Sequence, residues 1–216
     1  MIKIGIIDSG INVTNQNIAG VHLLRDPASQ KLLSSIDITD EIGHGSDCFR
    51  IISSIISDAN YYIVKVFDKE LKTDIDILST AIQLCVEQNV DLINISAGVA
   101  TDEIPDLLRI ACDSAYNNDT IIVSARHSSG LQCYPANYTK VISVGNTDLA
   151  EGEQFKCVIT DNIECYTSAA DMFPAGTAWS KASSFACAKM TGYVALMLRQ
   201  KGKIPLEKLK TELFIH

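Results

Sequence analysis

Short runs rich in Ile and Val alternate along this chain with helical patterns of apolar residues, and this alternation restricts the fold more than any other feature. The runs at 2–8, 61–68, 91–96, 120–125 and 140–148 predict strands, and the patterns at 48–56, 76–90, 104–118, 184–200 and 205–213 predict helices. Strands without polar alternation suit burial on both faces. The order therefore predicts an α/β fold with a mostly parallel central sheet and helices on both faces. The less readable stretch 149–180 is expected to hold strands or loops.

The length and composition of the chain favour a single globular domain over residues 1–216. Of the 216 residues, 47% are hydrophobic and 20% are charged, which is enough apolar material for a sizeable core. The formal net charge of −8 argues against nucleic acid as a partner, because an acidic chain repels phosphate. No apolar run reaches the roughly 18 residues of a membrane span. The first apolar run meets Asp8 too early for a secretion signal.

The cysteines predict a reducing environment. They are Cys48, Cys85, Cys112, Cys133, Cys157, Cys165 and Cys187. Their number is odd and no CxxC pair occurs, so neither a zinc site nor a redox motif is indicated. Several lie in apolar runs, where a free thiol behaves as a small hydrophobic group. We therefore expect free thiols and a cytoplasmic location.

Three polar side chains are placed where ligands gather in open α/β sheets, beyond the carboxyl ends of the strands. Asp8 ends the first predicted strand, His44 lies in "GHGSDCF" just before a helix, and Ser184, next to Ser183, lies at the start of another helix. Each is unremarkable alone, since Asp-Ser-Gly is a common turn and a serine at a helix start is usually a cap. Two adjacent serines, however, exceed what capping needs.

Together these groups have interlocking chemistry. A serine hydroxyl becomes a nucleophile near neutral pH when a histidine accepts its proton. The imidazole in turn needs an acid to fix its tautomer and stabilise the imidazolium. A serine inside a helix N-terminus also offers its backbone N–H and the positive end of the dipole to an oxyanion. Ser184 is therefore the better nucleophile and Ser183 the better cap or scaffold residue.

The motifs around these residues resemble those of the subtilases, the subtilisin-like serine proteases. "IGIIDSGI", "GHGS" and "ASSFACA" are similar to the family's aspartate, histidine and serine motifs and follow the same Asp, His, Ser order. "YIVKVFD", "VDLINISAG" and "YPANYTKVISVGNTD" resemble its framework segments, so the resemblance spans essentially the whole chain. It implies a subtilisin-like three-layer sandwich and a serine endopeptidase without cofactor. The implied roles are orienting acid for Asp8, general base for His44 and nucleophile for Ser184.

The resemblance also assigns the residues that bind substrate. Ser96, Ala97 and Gly98 would form one wall of the primary specificity pocket and pair with a peptide bound as an extended strand. Ala125 and Arg126 would line the same pocket.

Two substitutions fall inside that site. His127 stands at the family's oxyanion asparagine, where it would stabilise the oxyanion together with the N–H of Ser184 through an imidazole N–H. Arg126 replaces a glycine. Its guanidinium would fill the pocket or select an acidic side chain by bidentate pairing, or else the loop turns it into solvent.

The serine motif itself departs from the family pattern. Ala182, Ser183 and Ala188 stand where glycine, threonine and proline are usual. A competing register on "GTA" at 176–178 would put alanine at the nucleophile. We reject it because it would insert eight residues into the helix before Gly192.

The start of the chain lies almost at the aspartate strand, which suggests a minimal intracellular subtilase without a signal or pro-segment. No acidic loop has convincing calcium-ligand spacing, so no metal is expected. Two functions follow. The first is an endopeptidase of narrow specificity, for example in the maturation of a dedicated precursor or leader peptide. The alternative is a weak or inactive subtilase fold that binds peptides.

Overall fold

A computed structural model describes residues 1–13, 17–67, 71–159, 162–170 and 182–214. The strands are β1 Lys3–Asp8, β2 Ile18–Arg25, β3 Leu32–Ser35, β4 Asn60–Lys65, β5 Leu92–Ile95, β6 Val99–Ala100, β7 Ile121–Ala125, β8 Cys133–Tyr134, β9 Ile142–Asn146, β10 Lys156–Ile159 and β11 Ile163–Thr167. The helices are α1 His44–Ile55, α2 Ile75–Glu87, α3 Asp106–Asn117, α4 Ser183–Lys201 and α5 Leu206–Phe214.

The central sheet confirms the predicted α/β class. Its strand order is β10-β11-β9-β7-β5-β1-β4-β2-β3, and β6 pairs separately with β8. All seven inner strands pair in parallel, whereas β10 and β3 at the two edges run antiparallel to their neighbours. Ile and Val from both sides of the inner strands are buried, as expected for a parallel sheet covered on both faces.

Helices cover the two faces of this sheet and form the outer layers of the sandwich. Helices α1, α4 and α5 bury apolar residues in one core cluster, and α2 and α3 bury theirs in a second cluster on the opposite face. The close packing of α1 on α4 depends on Gly192. A Cβ at this position would lie 2.8 Å from the side chain of Ile55, which is closer than real contacts allow. This contact brings together the two helices that start with the histidine and the serines.

The predicted helices and inner strands all occur, with ends shifted by a few residues. The strands that periodicity missed lie at or next to an edge of the central sheet, or are very short. β2 is the longest of them, and most of its residues are only half-buried, so its sequence "IAGVHLLR" lacks a continuous apolar run. Within 149–180, β10 and β11 fulfil the expectation of strands. The rejected register at 176–178 lies outside the described residues.

The expectation of free thiols throughout is wrong for one pair. Cys157 and Cys165 form a disulfide, with their Cα atoms 4.1 Å apart, because the antiparallel register of β10 and β11 places them directly opposite each other. The eight-residue separation of Cys157 and Cys165 does not by itself predict this β-hairpin. The other cysteines are free and buried: Cys48, Cys85, Cys112, Cys133 and Cys187. Burial raises the pKa of Cys112 to about 12, so that thiol stays protonated.

None of the helices in the described part of the chain is both long enough and apolar enough to cross a membrane.

Candidate active site

Asp8 and His44 meet at the carboxyl edge of the sheet. β1 ends at Asp8, and α1 begins at His44 beside it. The Oδ1 atom of Asp8 lies 2.7 Å from Nδ1 of His44, and both side chains are buried. The backbone N–H of Ser9 also donates to Oδ1 of Asp8, at 2.7 Å. The carboxylate therefore holds the imidazole in one orientation.

Ser184 completes a chain of hydrogen bonds from the other side of the imidazole. Its Oγ lies 2.9 Å from Nε2 of His44, in the first turn of α4. The structure thus brings together the three side chains that the sequence motifs singled out, although they are far apart in the chain. Ser183 is the first residue of α4 rather than its cap. Ala182 takes the N-cap position, where no side-chain hydrogen bond caps the helix.

The surroundings of His44 favour its protonated form. Burial acts to lower its pKa, but the charge of Asp8 and the hydrogen bond to it outweigh burial, with smaller contributions from Asp40 and Asp47. The net result is a raised pKa for His44. The ring also packs against Phe185, with the two ring centroids 5.0 Å apart. An imidazole placed in this way can accept a proton from the serine hydroxyl and hold it.

Asp8, His44 and Cys48 are the one group among the described residues that could offer three ligand atoms to a metal, all within 4.8 Å of one another. The donor set suits a metal poorly. Burial, followed by the charge of Asp8, raises the pKa of Cys48 well above its ordinary value. A metal would require the thiolate, and it would have to displace the bond between Asp8 and His44.

A cavity of about 250 Å³ lies beside Ser184. Its lining contains the predicted residues Ser96, Gly98, Ala125, Arg126 and His127, together with Ser128, Cys133 and Ala182 to Ser184. The predicted residue Ala97 lines a neighbouring cavity of about 380 Å³ that also contains His44.

Cys133 was missed as a lining residue by the sequence analysis. The framework segment "YPANYTKVISVGNTD" begins at the residue after Cys133, and nothing in it indicated contact with the cavity. A Cβ at Gly98 would lie 2.2 Å from the Cys133 sulfur, so the two sides of the cavity approach each other as closely as glycine permits.

Arg126 lines the cavity, but its guanidinium is neither unpaired nor turned out into solvent. Its Nη1 donates to Oε2 of Glu164 at 2.6 Å and to the hydroxyl of Tyr166 at 2.9 Å. The Arg126 side chain is 25% exposed. Gly145 makes room for this cluster, because a Cβ there would lie 2.9 Å from the Tyr166 ring. Arg126 thus lines the cavity, and its charge is paired with a carboxylate of the same chain.

His127 is exposed at the mouth of the same cavity. Its Nδ1 lies 3.3 Å from the backbone N of Ser129 and 2.8 Å from the Oγ of Ser129. A backbone N–H can only donate, so Nδ1 accepts and the proton of the neutral ring is on Nε2. The tautomer of His127 therefore presents a donor on the side of the ring away from Ser129.

A serine, a histidine and an aspartate in this hydrogen-bonded arrangement, at the edge of a doubly covered parallel sheet, are typical of serine hydrolases. The sequence matches the subtilase family over residues 1–214, and the chain belongs to that family. It is 29% identical over 160 residues to the minor extracellular protease Epr of Bacillus subtilis (strain 168), covering 68% of this chain and 23% of the relative. It is 29% identical over 171 residues to the major intracellular serine protease of the same strain, covering 69% of this chain and 52% of the relative.

Among solved structures, the chain resembles the prenylagaramide maturation protease PagA. The TM-score is 0.67 at 24% identity, and the alignment covers 94% of this chain and 78% of PagA. At this identity the likeness establishes the fold, which is subtilisin-like. The chain spans about a quarter and about half of the lengths of the two curated relatives.

Proposed function

We propose that this protein is a serine endopeptidase in which Ser184 is the nucleophile, His44 the general base and Asp8 the orienting acid. The observation that carries the proposal is the continuous hydrogen-bond chain of 2.7 Å and 2.9 Å through the imidazole. Ser184 attacks the peptide carbonyl as His44 accepts the hydroxyl proton. His44 then gives that proton to the leaving amine, and water hydrolyses the acyl-enzyme by the same route.

The oxyanion would be bound by two donors. The first is the backbone N–H of Ser184, because N–H groups in the first turn of a helix lack intrahelical partners and lie at the positive end of the dipole. The second is Nε2–H of His127, supported by the tautomer that Ser129 selects.

The substrate is proposed to be a peptide that lies as an extended strand along Ser96, Ala97 and Gly98. Its side chain before the scissile bond would enter the cavity of about 250 Å³ lined by Ala125 and Arg126. Binding of this kind uses main-chain hydrogen bonds for affinity and a pocket for selectivity.

A narrow role such as maturation of a precursor peptide suits this small pocket, whose charge is already paired. PagA, which shares the fold, is a maturation protease. We further propose that residues 1–216 act as one catalytic domain in the cytoplasm. The similarity to an intracellular serine protease supports that location.

The pocket chemistry leads to a prediction about specificity. Because Glu164 already neutralises Arg126, we expect the wild type to prefer small uncharged side chains before the scissile bond. Glu164→Gln should leave the guanidinium available to a substrate carboxylate and raise the relative kcat/KM for Asp or Glu by about 10-fold or more. Competition between matched peptides, quantified by mass spectrometry, measures this ratio. Adding Arg126→Gly should abolish the gain, and a gain that survives would show that Arg126 does not contact substrate.

The oxyanion assignment gives a second prediction. His127→Ala should lower kcat by about 10²-fold with little change in KM, because the lost donor serves the transition state rather than the bound substrate. His127→Asn should retain activity, since an amide donates without a particular tautomer. Steady-state kinetics on one peptide compare the three proteins. If kcat is the same in His127→Ala as in wild type, another donor such as Ser128 serves the oxyanion.

The alternative is a subtilase fold that binds peptides with little or no turnover. The observation that favours it is the lining of the cavity, where Cys133 and Arg126, already paired with Glu164, lie beside the serine. An active-site-directed fluorophosphonate distinguishes the two functions, because it labels an activated serine without requiring a known substrate. Labelling mapped to Ser184 supports the endopeptidase, and a protein that stays unlabelled under conditions that label a control protease supports the binding function.

A further inference from the structure

Asp40 is a buried carboxylate in the loop that leads into α1, and the proposed reaction leaves it without a role. It is 4% exposed. Its Oδ1 accepts from the hydroxyl of Ser9 at 2.9 Å and from the backbone N–H groups of Ile42 and Gly43 at 3.0 and 2.8 Å. Its Oδ2 accepts from the N–H and the hydroxyl of Ser46 at 2.9 and 2.7 Å.

These bonds hold the start of α1, which carries His44. The residue at the N-cap, Gly43, has no side chain with which to cap the helix, so the Asp40 carboxylate satisfies the first-turn donors instead. Asn12 fixes Asp40 in turn, because its side chain pairs with both the backbone O and the backbone N of Asp40.

The same carboxylate reaches the aspartate of the site through Ser9. The hydroxyl of Ser9 donates to Asp40 and accepts from the N–H of Gly45 at 2.9 Å, while the N–H of Ser9 donates to Asp8. Gly45 is needed for this contact, since a Cβ there would lie 2.3 Å from the carbonyl oxygen of Gly10. The turn after β1 and the first turn of α1 are therefore joined at Asp40.

Asp40 remains ionised in this position. Burial acts to raise its pKa, but the hydrogen bonds from Ser46, Gly43 and Ser9 outweigh burial, and the pKa is lowered. The negative charge of Asp40 contributes to the raised pKa of His44. Its effect is smaller than that of Asp8 and larger than that of Asp47. Among the described residues, the protonated thiol of Cys48 also lies within 4.8 Å of Asp8 and His44, and Lys72 lines the same cavity as His44.

We propose that Asp40 is a positioning residue for the acid and the base of the site, an inference that rests on the proposed peptidase function. Through Ser9 it fixes the turn that carries Asp8, and through the first turn of α1 it fixes His44 at hydrogen-bonding distance from Ser184. Its negative charge also stabilises the imidazolium that forms when Ser184 loses its proton.

The test is Asp40→Asn, which keeps the size of the side chain but removes the charge and places an amide against N–H donors. We expect kcat to fall about 10- to 100-fold with KM little changed, because a small displacement of a catalytic group costs on this scale. The acid limb of kcat/KM should move to lower pH. The base must be neutral to act, and loss of a nearby negative charge makes its protonated form less stable.

Two further variants separate the bonds from the charge. Asp47→Asn removes a carboxylate of α1, the helix that carries His44, and this carboxylate is paired with Arg50. The acid limb of kcat/KM should again move to lower pH, while kcat at the plateau stays unchanged. Ser46→Ala keeps the charge of Asp40 but removes one of its donors, so kcat should fall without a shift of the acid limb. This variant also provides the test if Asp40→Asn does not fold.

Proton NMR gives a reading that does not depend on turnover. The chain contains four histidines, and the imidazole signals of His44 can be assigned by comparison with His44→Ala. The titration midpoint of His44 should be lower in Asp40→Asn than in wild type. A folded Asp40→Asn with wild-type kcat, or with an unshifted His44 titration, overturns the proposal. A wild type without peptidase activity overturns the proposed function instead, and the NMR titration still decides whether Asp40 acts on His44.

Discussion

Ser184→Ala is expected to abolish labelling by a fluorophosphonate and to lower kcat for peptide hydrolysis by about 10⁶-fold, the scale known for loss of an activated serine. The change removes one hydroxyl from a partly exposed position in the first turn of α4, so the fold should persist. Without Oγ at 2.9 Å from Nε2, the imidazole of His44 has no hydroxyl proton to accept. Circular dichroism and a melting curve establish the fold, and active-site labelling with peptide mapping establishes the loss.

Ser183→Ala is the matched control for this variant. Ser183 is the neighbouring residue of the same helical turn and is also a serine, yet it makes no described hydrogen bond to His44. It should retain labelling and most of the turnover. Recovery of the probe on Ser183 instead of Ser184 would contradict the assignment of the nucleophile and the register of the serine motif with it.

Asp8→Asn is expected to lower kcat by about 10⁴-fold with only a small change in KM. The amide can turn its NH₂ group toward Nδ1 of His44, which would make Nδ1 an acceptor and put the proton on the nitrogen that faces Ser184. The base would then be blocked. The substitution also removes the strongest of the charges that raise the pKa of His44, so the His44 imidazole should titrate at lower pH than in wild type.

Steady-state kinetics as a function of pH, combined with NMR titration of His44, measures both effects. His44→Ala supplies the comparison, since it removes the base entirely. The double variant Asp8→Asn with Ser184→Ala should be no slower than Ser184→Ala alone, because groups that act as a unit are strongly non-additive. A loss that multiplied in the double variant would mean that Asp8 acts on another step.

The parts of this protein that could be predicted from sequence are those governed by continuous patterns. Inner strands such as β5 are buried on both faces and so appear as uninterrupted apolar runs. Asp8, His44 and Ser184 could be singled out because each lies at a strand end or a helix start, within a short and specific sequence motif. Their hydrogen bonds then followed from the topology, which gathers such positions at one edge of the sheet.

The features that could not be predicted are contacts between side chains of different segments, in stretches where the sequence has no regular polar and apolar pattern. The ion-pair partner of Arg126 comes from β11, within a stretch whose polar and apolar residues show no clear period, so the pairing with Glu164 could not be predicted. The Cys157–Cys165 bond comes from the same hairpin. Asp40 lies in the polar segment "DITDEIG", which has the composition of an ordinary loop, although the side chain is buried and is bonded to residues after β1 and in α1.

The antiparallel edges of the sheet bear on how this protein, for which we propose pairing with extended peptides, avoids pairing with another copy of itself. An exposed edge strand offers unpaired N–H and C=O groups to any extended chain, including another copy of the same protein. Here both outermost strands, β3 and β10, are only four residues long, and β10 is tied to its neighbour by a covalent bond. A short edge strand offers few backbone hydrogen bonds to an additional strand. We therefore expect an extended peptide to pair in the proposed binding cleft, beside Ser184, rather than at the margins of the sheet.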